Sequence, residues 1–135
     1  MCANPLRVAR YVLDGGVSCI AEARRYVDAF LDAALPAVGG SMVSDAELAA
    51  SELVTNAVQH APGPCVLRLS DDGRRVEVAV SDSSLQPPID RHAGFKEGTG
   101  GAGLVMLQRL ADAVEVRLRR DGKTVSVTLD REKHP

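Results

Sequence analysis

Three groups of residues in this chain have types and spacings that chemistry can use. Glu52 and Asn56 stand four apart, so on a helix they share one face, about one turn from each other. Leu53, Val54, Ala57 and Val58 surround them with apolar surface, the composition of a buried helix. A carboxylate and an amide on the inner side of such a helix need partners, because an unpaired buried polar group costs ~1–3 kcal/mol. A metal ion and its phosphates would supply them, and so would a paired polar seam in an ordinary core. The second group is Gly98-Thr99-Gly100-Gly101-Ala102-Gly103. Glycines let a backbone approach a ligand closely, and a helix start offers free N–H groups to an anion. The run reads as a phosphate cradle or as a flexible connector ending in a helix cap. The third is Asp82, at the end of an alternating apolar stretch. Its carboxylate can accept a hydrogen bond from an exocyclic amine such as that of adenine, or open an Asx-turn with Ser84.

The elements that must position these groups follow from hydrophobic period and turn chemistry. Leu6 to Leu13 reads as a strand closed by Asp14-Gly15-Gly16. Ser18 can cap a helix whose apolar positions Ile20, Ala23, Val27, Phe30, Leu31 and Ala34 keep a helical period. Pro36 and Gly39-Gly40 end it. Ser44 and Glu47 form a capping-box pattern at the head of the second helix, which carries Glu52 and Asn56 and stops at Pro62-Gly63. Val66–Ser70 and Arg75–Ser81 make a hairpin around Asp71-Asp72-Gly73. Ser83 to Gly98 is a long polar loop, a length that in a compact domain is often functional. Leu104–Ala111 is a short helix, and Val114–Leu118 and Thr124–Leu129 form a second hairpin around Arg120-Asp121-Gly122. The order β-α-α-β-β-loop-α-β-β lacks regular βαβ alternation, which predicts an α+β two-layer sandwich in a single domain, 1–135.

That organisation excludes two common readings of the glycines. The spacing fits G-x-G-x-x-G, but the dinucleotide pattern follows a strand inside a βαβ unit, and here a polar loop precedes it. Too few residues follow Gly103 to complete a doubly wound domain. No Lys-Ser or Lys-Thr follows the glycines, so a P-loop is excluded as well.

Composition narrows the class further. The 135 residues include 45% hydrophobic and 25% charged side chains, as in an ordinary globular domain, while aromatics at 3% leave an aliphatic core. A net charge of −2 with no basic stripe disfavours direct nucleic-acid binding. Cys2, Cys19 and Cys65 have no metal-type spacing and read as free thiols of a reducing compartment. No apolar signal core is present, and no stretch reaches the ~18 apolar residues of a membrane span, so a cytoplasmic location away from membranes is expected.

The chemical groups occur in one order: Glu-x-x-x-Asn on a helix, Asp after a strand, glycines before a helix, then Gly122-Lys123-Thr124-Val125. This order resembles the ATP-binding domain shared by histidine kinases, gyrase, the Hsp90 chaperones and MutL, often called GHKL. The run Ser51-Glu52-Leu53-Val54-Thr55-Asn56-Ala57-Val58-Gln59-His60-Ala61 is most similar to its anti-sigma-factor branch, serine/threonine kinases that include short actinobacterial regulators. The likeness extends from about Ala23 to Leu129. It implies a Bergerat-type fold, with a mixed, mostly antiparallel sheet and helices on one face.

The resemblance also implies roles. Asn56 would supply an oxygen to Mg²⁺, and Glu52 would orient or deprotonate an attacking Ser or Thr hydroxyl. Asp82 would read the adenine amine of ATP, with Thr124 in support. Gly98, Gly100, Gly101 and Gly103, with Leu104 behind them, would admit the phosphates, beneath a Ser83–Glu97 lid with Lys96 as a phosphate contact. The implied partners are a sigma factor, an anti-sigma antagonist protein or both, and relatives of this kind often dimerise. Two departures stand out. The family's Asp-x-Gly-x-Gly is here Asp82-Ser83-Ser84-Leu85-Gln86, and no upstream helix pair carries a phosphoacceptor His. The first favours an alternative, a partner-binding module of the same fold without kinase activity. The second argues against self-phosphorylation and leaves His60 and His92 as surface residues.

Overall fold

In the computed structural model, which describes residues 6–61, 63–84 and 101–135, the alternating stretches become five strands. They are β1 (Arg7–Leu13), β2 (Cys65–Asp71), β3 (Arg75–Asp82), β4 (Ala113–Arg119) and β5 (Gly122–Asp130), ordered β1-β2-β3-β5-β4. Every neighbouring pair is antiparallel, so the sheet is simpler than the mixed one expected. Helices α1 (Cys19–Asp32), α2 (Gly40–His60) and α3 (Gly101–Leu110) complete the described elements.

Strand period sorts the side chains onto two faces. Leu67 and Leu69 of β2, Val76, Val78 and Val80 of β3, and Val125, Val127 and Leu129 of β5 are buried in one cluster with the apolar faces of the helices. The opposite face carries Arg68, Glu77, Ser81, Glu115, Arg117, Thr124 and Ser126, a polar surface. The architecture is thus the expected α+β two-layer sandwich. The β2–β3 turn is held by its acids: Asp71 accepts from Gly73 N at 2.9 Å, and Asp72 accepts from Arg74 N and Arg75 N at 2.8 Å each. Gly73, at φ 92°, takes the left-handed position that favours glycine.

The core is aliphatic, and two of its members are thiols. Cys19 and Cys65 are both buried. Burial, with lesser contributions from Cys19 and Asp82, pushes the Cys65 thiol up to about 11. Burial likewise raises Cys19, helped by the hydrogen bond to Asp14. Because the thiolate is the nucleophile, neither is expected to react with a disulfide reagent at pH 8 while the protein is folded. Counting titrated thiols before and after adding denaturant checks this, and fast native labelling of Cys65 would contradict it.

The second helix departs from its expected start. It begins at Gly40, with Gly39 as the capping residue and no side-chain cap, and Ser44 lies one turn inside. The chain's last residues explain the change. Pro135 O accepts from Ser41 N at 3.2 Å, serving an N–H that a capping side chain would otherwise meet. His134 pins that tail, with Nδ1 2.6 Å from Asp45 and Nε2 3.4 Å from Asp112. Glu47 is not a capping partner either. It turns to α1, where Arg24 lies 3.5 Å away and a hydrogen bond with Asp28 raises its carboxyl pKa. Among the described residues, no helix is long and apolar enough to cross a membrane.

Candidate functional site

The buried positions of α2 are Met42, Ala46, Ala49, Ala50, Leu53, Val54 and Ala57, a stripe with helical period. Glu52 and Asn56 fall beside that stripe, not on it, and both are half-buried. The couple expected to point inward is therefore on the flank of the helix. Asp45 lies on the same flank, seven residues before Glu52. Through His134, Asp45 is joined to Asp112, just past the end of α3. Neither Glu52 nor Asn56 forms a hydrogen bond or ion pair with a described residue. A half-buried carboxylate and amide without partners among the described residues are open to a ligand.

Topology brings the other groups to the same end of the molecule. The register sets Val66 against Ser81, which puts Asp82 level with Cys65, five residues beyond the end of α2. The last turn of α2, carrying Asn56 and His60, therefore ends near Asp82. His60 is half-buried there, not at the surface as expected. At the other end of β3, Asp112 N donates to Thr128 O at 2.9 Å, and Thr128 pairs with Glu77. This anchors the C-terminal end of α3. A ten-residue helix spans about 15 Å. The helix starts at Gly101, three residues earlier than expected, and takes in Gly101, Gly103 and Leu104. Lys96, Gly98, Gly100, His92 and most of the Ser83–Glu97 lid lie outside the described residues.

Asp82 itself is the surprise. Its two carboxylate oxygens accept from Lys123 Nζ at 3.0 and 2.8 Å, and Oδ1 also accepts from Ser84 N at 2.8 Å, the Asx-turn. The two side chains are 3% and 1% exposed, so the ion pair is sealed in the core. Thr124 is on the other face of the sheet. Its Oγ1 lies 2.7 Å from Ser81 Oγ and accepts from Arg119 Nη1 at 2.8 Å. The support expected from Thr124 is thus turned away from Asp82, and Lys123 stands in its place. Strand parity contains the signal: Lys123 shares a face with Val125, Val127 and Leu129. Gly122 makes the close approach possible, since a Cβ there would run into the carbonyl oxygen of Asp82.

At the α2 flank the donor set suits Mg²⁺ with phosphates, because Mg²⁺ takes hard oxygens and keeps few protein ligands. At Asp82 the fit to an amine is poor, because a cation already occupies it.

Comparison with known proteins agrees with this picture. Residues 17–129 match the model of the histidine kinase-like ATPase domain. The chain is 33% identical over 111 residues to the serine-protein kinase RsbW of Bacillus pumilus, covering 67% of this chain and 68% of that one. It is 32% identical over 102 residues to RsbW of Bacillus subtilis, covering 64% and 63%. Among solved structures, the RsbU and RsbW domains of a Mycobacterium tuberculosis protein superpose with a TM-score of 0.64 at 22% identity. That match covers 91% of this chain and 32% of the other, and shares the fold.

Proposed function

Since the chain belongs to the histidine kinase-like ATPase domain family, we propose that it is an ATP- and Mg²⁺-dependent regulator of the anti-sigma-factor type. It would bind a sigma factor, phosphorylate a Ser or Thr of an antagonist protein, or do both. The observation that carries this reading is the Glu52–Asn56 couple on the α2 flank, half-buried and without a hydrogen-bond or ion-pair partner among the described residues. The likeness to serine-protein kinases of the RsbW kind supports it.

ATP with Mg²⁺, when bound, supplies the phosphoryl group. Asn56 would hold the metal through its side-chain oxygen. Glu52, one turn earlier, would orient the incoming hydroxyl and take its proton. Transfer of this kind rests on positioning and charge neutralisation, which a rigid helix flank provides. Titration calorimetry of the protein with ATP and Mg²⁺ is expected to show saturable binding. Asn56→Ala should weaken it by about tenfold or more, equivalent to losing one charge-assisted contact. No saturation at millimolar ATP would remove the nucleotide from this reading.

A second reading has its own observation. With Asp82 engaged by Lys123, and Ser83-Ser84 where glycines would stand, the fold could serve as a partner-binding module with little use of nucleotide. Labelled phosphate appearing on a Ser of a candidate antagonist would decide against it.

A further inference from the structure

We propose that Lys123 occupies the base-reading position of this site, so that a purine triphosphate is held by its phosphates and metal without selection for adenine. The inference rests on the nucleotide reading above and concerns one end of that ligand.

A carboxylate reads a base by accepting from a neutral exocyclic amine. Here both Asp82 oxygens already accept from an ammonium, at 3.0 and 2.8 Å, and Oδ1 has a further donor in Ser84 N. Hydrogen bonds from a charged donor are roughly twice as strong as neutral ones. An amine could displace Lys123 only by leaving a buried cation without its partner, and Lys123 is 1% exposed. The exchange runs uphill.

The surroundings keep Lys123 where it is. The β3–β5 register sets Asp82 directly against Lys123. Gly122, lacking a Cβ, allows the hairpin to press on the Asp82 carbonyl, and any larger residue would push it off. Val125, next along the same face, is buried as well. Ser84 N, bonded to Asp82, fixes the carboxylate from the loop side. The ammonium has three donors and spends two on Asp82. With the pair buried, a base meets neither a free acceptor nor a free donor here, so a 6-oxo purine is not penalised relative to a 6-amino one.

The test compares ATP with inosine triphosphate, which has oxygen in place of the amine, both with Mg²⁺ and read by calorimetry on the whole chain. The wild-type protein is expected to bind the two within about threefold, since a site without a base-specific hydrogen bond discriminates weakly. A preference for ATP of about tenfold or more in the wild type would overturn the inference, because Asp82 would then be reading the amine after all. The variant Lys123→Ser frees the carboxylate and is expected to acquire that ATP preference, also visible as a thermal shift with ATP larger than with inosine triphosphate. A folded Lys123→Ser protein that still binds both equally would overturn the assignment to Lys123 while leaving the nucleotide reading intact. If that variant does not fold, the wild-type ratio decides alone. Absence of binding of either triphosphate to the wild type would remove the nucleotide reading and this inference with it, a result distinct from adenine selectivity.

Discussion

Lys123→Met is expected to lower the stability of the folded protein by about 3–5 kcal/mol, the range for breaking a buried ion pair by removing one partner. The loss comes from what remains. Asp82, 3% exposed, would keep a carboxylate in the core with only the Ser84 amide to hold it. Asp82→Ala strands the ammonium of Lys123 and should cost a similar amount. Removing both charges at once, in Asp82→Asn with Lys123→Met, should recover most of the loss, because paired burial of two ions is itself nearly neutral against an apolar replacement. Urea unfolding followed by circular dichroism measures all three, with an unchanged slope showing that the folded state is the same. Single variants within 1 kcal/mol of wild type would mean that water reaches the pair. The result also governs how ligand-binding data on Asp82 are read. A domain of this kind has only about 5–15 kcal/mol in total, so an Asp82→Ala protein that fails to bind nucleotide has told nothing until its folding is checked.

The strands and helices were legible because each has a clean period. Val76, Val78 and Val80 alternate with Glu77 and Ala79, and the structure puts the valines inward. Where the reading moved, a long-range contact was responsible. The Ser44–Glu47 capping pattern is locally sound, yet Pro135 arrives from the far end of the chain to meet Ser41, and Glu47 finds Arg24 across the helix interface. No local window contains those partners. The first turn of α3 was expected at Leu104, but Gly101 and Gly103 join the helix, since glycine disfavours helix by only ~1 kcal/mol and neighbouring structure overrides that. The Thr124 assignment failed differently. Parity along β5 was available in the sequence, and it puts Lys123 on the core side and Thr124 on the open one. A lysine among valines in a strand looks like a surface residue until its acid is identified across the sheet, and Asp82 is far away in sequence. A buried ion pair is a tertiary fact: each half alone reads as exposed.

Glu52→Gln separates binding from chemistry. Glutamine keeps the size of the side chain and an acceptor oxygen but cannot take a proton at neutral pH. Glu52 forms no hydrogen bond or ion pair with a described residue, so the substitution removes none of these, and its half-exposed place on the α2 flank leaves the core stripe intact. If Glu52 is the base in phosphoryl transfer to a Ser or Thr of an antagonist protein, transfer should fall by about 10²–10⁴-fold, the usual worth of a positioned general base. If Asn56 and not Glu52 holds the metal, the affinity for ATP with Mg²⁺ should meanwhile change by less than about threefold. Asn56→Ala gives the opposite pattern, with binding lost first and transfer lost because the substrate is absent. Single-turnover transfer of labelled phosphate at saturating nucleotide, set beside calorimetry, distinguishes the two variants. Equal losses of affinity in both would mean that the acid and the amide act together on the metal, and the base would have to be sought elsewhere. Unchanged transfer in Glu52→Gln would leave the flank as a binding surface only, since a helix that holds phosphates without a proton acceptor can position a nucleotide but does not by itself activate a hydroxyl.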